Sequence, residues 1–222
     1  MPERMRRAVV LEAAVEHFAD QGRAGTTIDD IAEAAGVRKP AIYEMFGSKD
    51  DLFRGAVDHV VTELAAQFRI TNAETTHLPR AERTRARIDA ALAHAEHDPQ
   101  SFRLLLRAPY SWPGDDPTGA EAQFQRLVAV MADNYRRESA AAGTPIDAAA
   151  EVLARLFFTL TYEVVRLRLT DDSWDRDSLI GFVAEFIDGG VAAVRPEVWR
   201  AVDQPDRTEP STSPSDGSER RT

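Results

Sequence analysis

Apolar residues recur every three or four positions along most of the chain, which is the spacing of one buried face of an α-helix. Ala8, Leu11, Val15 and Phe18 form the first such stripe, and Gly22 follows it as a predicted C-terminal cap. Runs of alternating β-branched residues are absent, so the pattern predicts an all-α fold. Later helices are predicted near residues 81–96, 99–107, 119–142, 146–169 and 175–194.

Two short helices are predicted after the first one, and polar residues mark where they begin. Thr27 and Asp30 have the spacing of a capping box that opens the second helix, which ends near Gly36. A third helix spans roughly residues 38–46. Ser48 then opens a long helix, with Asp51 as its capping partner. The apolar stripe of that helix contains Phe53, Val57, Val60, Leu64 and Phe68.

The segment 27–49 has the spacing of two short helices joined by a sharp turn. Gly36 can take the positive φ angle that such a turn requires, and Ile42 returns to the same core six residues later. The other inward-facing positions are Ile28, Ile31, Ala32, Ala35 and Val37. This spacing predicts a helix-turn-helix, whose second helix enters the DNA major groove at its N-terminal end. It also fits a purely structural helical hairpin.

The overall charge argues against DNA binding by the chain as a whole, because 37 acidic residues against 27 basic ones give a net charge of −10. Any contact with phosphates must therefore rest on a local basic surface. Residues 36–49 carry such an excess, since Arg38, Lys39 and Lys49 stand against Glu44. Three more basic residues lie at the start of the chain, namely Arg4, Arg6 and Arg7. They are interpreted either as an arm that contacts DNA or as a solvated terminus.

The segment from about residue 5 to residue 55 resembles the N-terminal domain of the TetR family of transcriptional regulators. That family has an aliphatic-rich first helix, then T-T-x-x-I-A-x-x-A-G-V, a recognition helix with L-Y-x-x-F, and S-K-x-x-L. The matching positions are Thr26, Thr27, Ile31, Ala32, Ala35, Gly36, Val37, Ile42, Tyr43, Phe46, Ser48, Lys49 and Leu52. The resemblance implies an N-terminal three-helix DNA-binding domain at residues 1–50. A larger C-terminal helical domain for ligand binding and dimerisation would follow at residues 51–200.

The resemblance also implies a set of DNA contacts at the matching positions. Thr27 would contact a phosphate through its hydroxyl and the helix N-terminus behind it. Tyr43 and Lys49 would bind backbone phosphates, while Arg38 and Lys39 would reach phosphates or guanine edges.

The recognition segment departs from the family pattern, because members often have Ser-Lys-Gly-Thr or similar where this chain has Arg38-Lys39-Pro40-Ala41. Ala41 therefore lacks a hydroxyl that would bind phosphate. Glu44 replaces a common histidine or aromatic residue, and it would accept a hydrogen bond from cytosine N4 or exclude wrong sequences. The operator sequence therefore cannot be transferred from other members.

The C-terminal part is expected to form a homodimer, because a specific operator requires two helix-turn-helix units about one helical turn apart. The segments 146–169 and 175–194 are apolar on more than one face. A helix of this kind is buried on two sides, by its own core and by a partner. We therefore predict dimerisation through these last two long helices, with burial inside one subunit as the alternative.

The middle helices are expected to hold a small-molecule effector, as members of the family usually do, and to release double-stranded operator DNA when it binds. Large apolar and aromatic side chains with few charges favour an apolar or aromatic effector. The candidate lining residues are Phe68, Leu92, Phe102, Leu105, Tyr110, Trp112, Phe124, Met131, Phe158 and Tyr162.

The sequence gives little support for an enzyme or a metal-binding protein. Zero cysteines exclude disulfides, thiolate zinc sites and cysteine nucleophiles. His94 and His97 lie three positions apart on a predicted helix, but no matching pair stands on a second helix, so no metal site is predicted. No glycine-rich phosphate loop or hydrolase motif occurs. We therefore expect no catalysis and no cofactor.

The chain has no apolar run of about 18 residues and no pattern of a secretory signal, so we expect a cytoplasmic protein without membrane contact. Residues 201–222 are polar and are expected to form a disordered tail. The sequence favours a TetR-like repressor that a small ligand releases from DNA. The alternative is a helical ligand- or partner-binding module whose helix-turn-helix is only structural.

Overall fold

The computed structural model describes residues 2–111, 118–171 and 173–204, apart from the side chains of residues 109–111 and 118. Within these ranges the chain is helical and contains no strand, which confirms the predicted all-α class. The helices are α1 (Glu3–Gly25), α2 (Ile28–Ala34), α3 (Lys39–Phe46), α4 (Lys49–Glu74), α5 (Arg80–His97), α6 (Pro99–Ser111), α7 (Thr118–Ala141), α8 (Ala148–Thr170), α9 (Arg176–Ala193) and α10 (Pro196–Asp203).

The first three helices and the start of α4 share one apolar core. Ile31 and Ile42 are almost completely buried, and Phe18 on α1 meets Phe53 on α4 edge-to-face with ring centroids 5.2 Å apart. Gly36 has a φ of +63° at the turn between α2 and α3, a region that side chains with a Cβ rarely adopt. The spacing read from the sequence therefore produces the predicted helix-turn-helix.

Polar caps fix the ends of these helices. The Thr27 hydroxyl accepts a hydrogen bond from the Asp30 amide while the Asp30 carboxylate accepts one from the Thr27 amide, so the predicted capping box is formed. Ser48 likewise accepts from the Asp51 amide at the start of α4. Gly22, with a φ of +71°, interrupts α1 where its end was predicted, but helical turns continue to Gly25.

The remaining helices pack around α4, which runs out of the helix-turn-helix unit into the C-terminal part. α6 packs against α1, α7 against both α4 and α8, and α5 against α9. This arrangement leaves α4 and α6 in contact with both parts of the molecule.

The end of the described chain differs from the prediction. α10 was not predicted, and it continues to Asp203, inside the segment expected to be a disordered tail. The Asp203 carboxylate accepts hydrogen bonds from the amides of Asp147 and Ala149, so it caps the N-terminus of α8. α8 consequently begins at Ala148, two residues after its predicted start. Residues 205–222 lie outside the described part.

A buried polar network joins α4, α5 and α7. Arg87 on α5 has no exposed surface, and its Nε donates to Asn72 Oδ1 at 2.7 Å. Its Nη2 donates to the carboxylate of Glu138, which also accepts a hydrogen bond from Asn134 and pairs with Arg83 at 3.1 Å. Because a buried guanidinium needs a counter-charge, Glu138 on α7 stabilises Arg87 on α5, which in turn bonds to Asn72 on α4.

Candidate nucleic-acid interface and ligand cavity

The exposed face of α3 carries the side chains predicted to meet DNA. Arg38, at the N-cap, is exposed together with Lys39 and Pro40, while Ala41 is half-buried. Tyr43 has 43% of its surface exposed although its neighbour Ile42 is buried. α3 therefore anchors one face in the core and leaves the other free for a groove.

The other predicted DNA contacts lie on or near this exposed face and differ in their exposure and partners. Glu44 is exposed on α3 itself. Thr27 is exposed at the N-terminus of α2, but its hydroxyl also donates to the Asp30 carboxylate at 2.7 Å. This hydrogen bond from Thr27 lowers the pKa of Asp30. Lys49 is half-buried, and its Nζ donates to the carbonyl of Thr26 at 3.1 Å.

Lys39 has a partner that the sequence analysis did not identify. Its Nζ lies 2.8 Å from the carboxylate of Asp29 on α2, and both side chains are solvent-exposed. The hydrogen bond with Asp29 raises the pKa of Lys39. The ion pair neutralises part of the local basic excess on which phosphate binding must rest.

The three arginines at the start of the chain do not form an extended arm, because α1 already begins at Glu3. Arg7 carries a positive charge and also forms contacts within the fold. Its guanidinium lies 4.1 Å from the centre of the Phe46 ring and donates to the Met45 carbonyl at 3.0 Å. This contact ties α1 to the C-terminal end of α3. Arg4 is exposed on the first turn of α1.

A cavity of about 530 Å³ lies between α4, α5, α6, α7 and α8. Its walls are mostly apolar, and edge-to-face aromatic contacts stabilise one side. Phe158 meets Phe68 with ring centroids 5.1 Å apart and Phe124 at 6.1 Å. Phe102 and Tyr162 also line the cavity and pack with ring centroids 5.8 Å apart. The volume is in the range of small-molecule sites.

Six of the ten residues predicted to line an effector site surround this cavity: Phe68, Phe102, Leu105, Phe124, Phe158 and Tyr162. Leu92 and Met131 do not line it; both have no exposed surface and belong to the core. Helical periodicity identifies inward-facing residues but does not separate a cavity wall from solid core. The side chain of Tyr110 and all of Trp112 lie outside the described residues.

The cavity also has polar wall residues that the sequence analysis did not assign to it. Ser101, Thr159 and Thr161 contribute hydroxyls, and His94 faces it from α5. Glu121 lies in the wall on α7 and is paired with Arg155 at 3.2 Å. Thr161 was identifiable in principle, because it shares one face of α8 with Phe158, Tyr162 and Val165.

α8 and α9 pack against each other and leave an apolar surface uncovered. On α8 it comprises Val152 and Leu156, which are 45% and 55% exposed. On α9 it comprises Phe182 and Phe186, which are 71% and 61% exposed. The spacing of four places each pair on one helix face. We call these four residues the α8–α9 apolar face; they are not buried within the subunit.

Comparison with known proteins agrees with this geometry. Residues 10–56 match the model of the family described as bacterial regulatory proteins, tetR family. The transcriptional activator FasR of Mycolicibacterium smegmatis is 28% identical over 195 residues, which cover 87% of this chain and 86% of FasR. Residues 10–56 match the N-terminal domain of the TetR family.

One further relative and one solved structure extend the comparison. The transcriptional repressor SCO4008 of Streptomyces coelicolor is 30% identical over 139 residues, covering 59% of this chain and 65% of that protein. The regulator FadR of Bacillus subtilis, in a crystal structure with stearoyl-CoA, superimposes with a TM-score of 0.66. That match has 16% identity and covers 82% of this chain and 98% of FadR, so it concerns the fold.

The match at residues 10–56 and the relatives named as helix-turn-helix regulators identify this chain as a helix-turn-helix transcriptional regulator. No helix in the described ranges is long and apolar enough to cross a membrane. Among the same residues, no group of three histidine, aspartate or glutamate side chains is arranged to hold a metal ion. His94 contributes to the cavity wall, whereas His97 is exposed at the end of α5.

Proposed function

We propose that this TetR-family regulator acts in the cytoplasm as a homodimeric repressor, which a small apolar effector releases from its operator. The observation that supports this proposal is the path of α4. The helix begins at Lys49, directly after α3, and its residues Val57, Val61 and Phe68 line the cavity. One rigid element thus connects the DNA-facing helix with the proposed effector site.

A second connection runs through α6. Phe102 and Leu105 of α6 face the cavity, and α6 also packs along α1. Arg107 of α6 donates to the carbonyl of Asp20 on α1 at 3.2 Å. A ligand that favours one position of α4 and α6 therefore also favours one position of the helix-turn-helix units, and DNA affinity changes by a population shift.

A homodimer through the α8–α9 apolar face would provide the two reading units that an operator requires. Four large apolar side chains on adjacent helices are costly to leave in water, and a second copy of the same surface would bury them symmetrically. Each copy carries a net charge of −10, so the burial of these uncharged side chains has to outweigh the repulsion between two like-charged subunits.

An apolar effector is supported by the aromatic wall of the cavity. The solved FadR from Bacillus subtilis was crystallised with stearoyl-CoA, whose acyl chain is apolar. We propose a ligand of similar character for this chain, with its apolar part between Phe68, Phe124 and Phe158.

The proposed function is tested first by fluorescence anisotropy with DNA from the upstream intergenic region of the chain's own gene. A scrambled duplex and a series of salt concentrations are measured in parallel. We expect tight binding to one fragment, a much weaker complex with the scramble, and strong salt dependence. Equal and weak binding to all fragments in a genome-wide selection would contradict an operator and favour the ligand- or partner-binding module.

Replacing Tyr43 by Ala is expected to weaken operator binding about tenfold or more, because the phenol is exposed on α3 and is proposed to bind a phosphate. The melting temperature should not fall, since Tyr43 is not part of the core. Trp174→Ala is the matched control, because Trp174 is 45% exposed and lies before α9, far along the chain from α3. Unchanged DNA affinity of the Tyr43 variant would remove this contact from the proposal.

Replacing Asp29 by Asn is expected to strengthen DNA binding about two- to fivefold. The substitution releases Lys39 from its ion pair and removes a negative charge that repels phosphates. Anisotropy titrations at low and moderate salt measure the gain, which should shrink as salt screens it. Asp133→Asn removes an equivalent exposed charge on α7 and should have no such effect. An equal gain in both variants would indicate only a change in net charge.

Activation is a second candidate for the direction of regulation, because FasR is named as a transcriptional activator. Transcription in vitro from the identified operator distinguishes the two. A repressor lowers transcript yield when the protein is added and restores it with the effector. An activator raises the yield.

A further inference from the structure

The cavity contains one buried hydroxyl whose hydrogen-bonding capacity is unused. Thr161 is 4% exposed and lines the cavity, and its Oγ1 has no hydrogen-bond partner among the described residues. An unpaired buried polar group is costly, and native proteins contain few of them. The hydroxyl therefore marks a position where a ligand can supply the missing partner.

Other threonines on α8 do have hydrogen-bond partners, so the missing partner of Thr161 is not a general property of this helix. Thr159 donates to the carbonyl of Arg155 at 2.9 Å, and Thr170 donates to that of Arg166 at 2.8 Å. Such bonds to the preceding turn are the usual solution for a helical threonine. Thr161 makes no such bond in the described structure, so both its donor and its acceptor capacity are unused.

The charges of the wall limit what the ligand's polar group can be. No lysine or arginine is among the described residues that line the cavity, and Glu121 is the only aspartate or glutamate there. Glu121 is itself paired with Arg155, whose guanidinium also pairs with Glu151. A ligand carboxylate inside this wall would lose hydration without meeting a lysine or arginine, and His94 is the one basic side chain among the described lining residues.

We propose that the effector is a neutral amphiphile whose hydroxyl or carbonyl group forms a hydrogen bond with Thr161 Oγ1. Its apolar part occupies the aromatic side of the cavity, and a free carboxylic acid of the same length binds more weakly because no lysine or arginine lines the described wall. The inference rests on the proposed role of the cavity as the effector site. It adds the chemical class of the ligand and the residue that selects it.

Three probes with the same hydrocarbon length separate the contributions of the hydroxyl group, the carboxylate and the apolar part: 1-dodecanol, dodecanoate and dodecane. Dodecanol has 13 non-hydrogen atoms, which need roughly 400 Å³ at about 30 Å³ each and fit the cavity of about 530 Å³. Calorimetric titration of the full chain measures binding, and anisotropy measures release of operator DNA. Wild-type protein should bind dodecanol at least tenfold more tightly than dodecanoate at pH 8.

Thr161→Val keeps the shape of the side chain and removes the hydroxyl. It should weaken dodecanol binding about tenfold, while dodecane binds equally well or more tightly. Thr159→Val is the matched control, because Thr159 also lines the cavity but its hydroxyl is already bonded. This control should preserve the preference for dodecanol over dodecane. The melting temperature of Thr161→Val should not fall, since no hydrogen bond is lost on substitution.

The outcomes distinguish this inference from the proposed function. If dodecanol binds and releases DNA equally in wild type and Thr161→Val, the effector role stands and the assignment of Thr161 is wrong. Tighter binding of dodecanoate would overturn the neutral class. If none of the probes binds while operator binding persists, a neutral amphiphile is ruled out and the chain remains a DNA-binding regulator without this effector site.

Discussion

Glu138→Gln is expected to lower the free energy of unfolding by about 3 kcal/mol, because it leaves the buried guanidinium of Arg87 without its counter-charge. Arg87 has no exposed surface and cannot turn towards water. For a chain of this size the change corresponds to a fall in melting temperature of roughly 6–12 °C. Urea denaturation followed by circular dichroism measures the free energy of unfolding, and a thermal scan measures the melting temperature.

The matched control is Glu163→Gln, which removes the partner of Arg166 in an exposed pair on α8. Exposed ion pairs contribute little, so this change should stay within about 0.5 kcal/mol. The double variant Arg87→Met with Glu138→Leu should recover much of the lost stability, since it removes both buried charges. If the two single Glu→Gln variants are equally stable, the network around Arg87 does not hold α4, α5 and α7 together.

The helix-turn-helix was predictable because its information is local. Gly36 at the turn, the capping pair at Thr27 and the buried Ile42 lie within sixteen residues of one another, and each has a distinct physical requirement. Helical periodicity also predicted the number of long helices. It could not predict α10, whose Asp203 acts on the start of α8 more than fifty residues earlier in the chain.

The sites were less predictable because their chemistry depends on contacts between helices. Asp29 pairs with Lys39 across the α2–α3 turn, and no periodicity specifies that partner. Leu92 and Phe158 have equivalent apolar patterns, but one is enclosed by core and the other faces the cavity. The hydroxyl of Thr161 is unused because it forms no local hydrogen bond, and only the three-dimensional structure reveals that absence.

The double substitution Phe182→Glu with Phe186→Glu is expected to dissociate the proposed dimer and abolish tight operator binding. In a twofold interface each residue occurs twice, so four phenylalanine side chains would lose their burial. At about 1.5 kcal/mol each, the dissociation constant of the dimer rises by roughly four orders of magnitude or more. Light scattering after size-exclusion chromatography should report a monomer, and anisotropy should show at least a hundredfold loss of operator affinity.

The monomer itself should remain folded, because both phenylalanines are more than 60% exposed within the subunit. Ile70→Glu provides the matched control, since Ile70 is 51% exposed on α4 and lies outside the α8–α9 apolar face. This variant should remain a dimer and bind the operator normally. A dimeric double variant would exclude the α8–α9 apolar face as the interface. A monomeric double variant that still binds tightly would contradict the requirement for two reading units, because a single eight-residue recognition helix would then be sufficient.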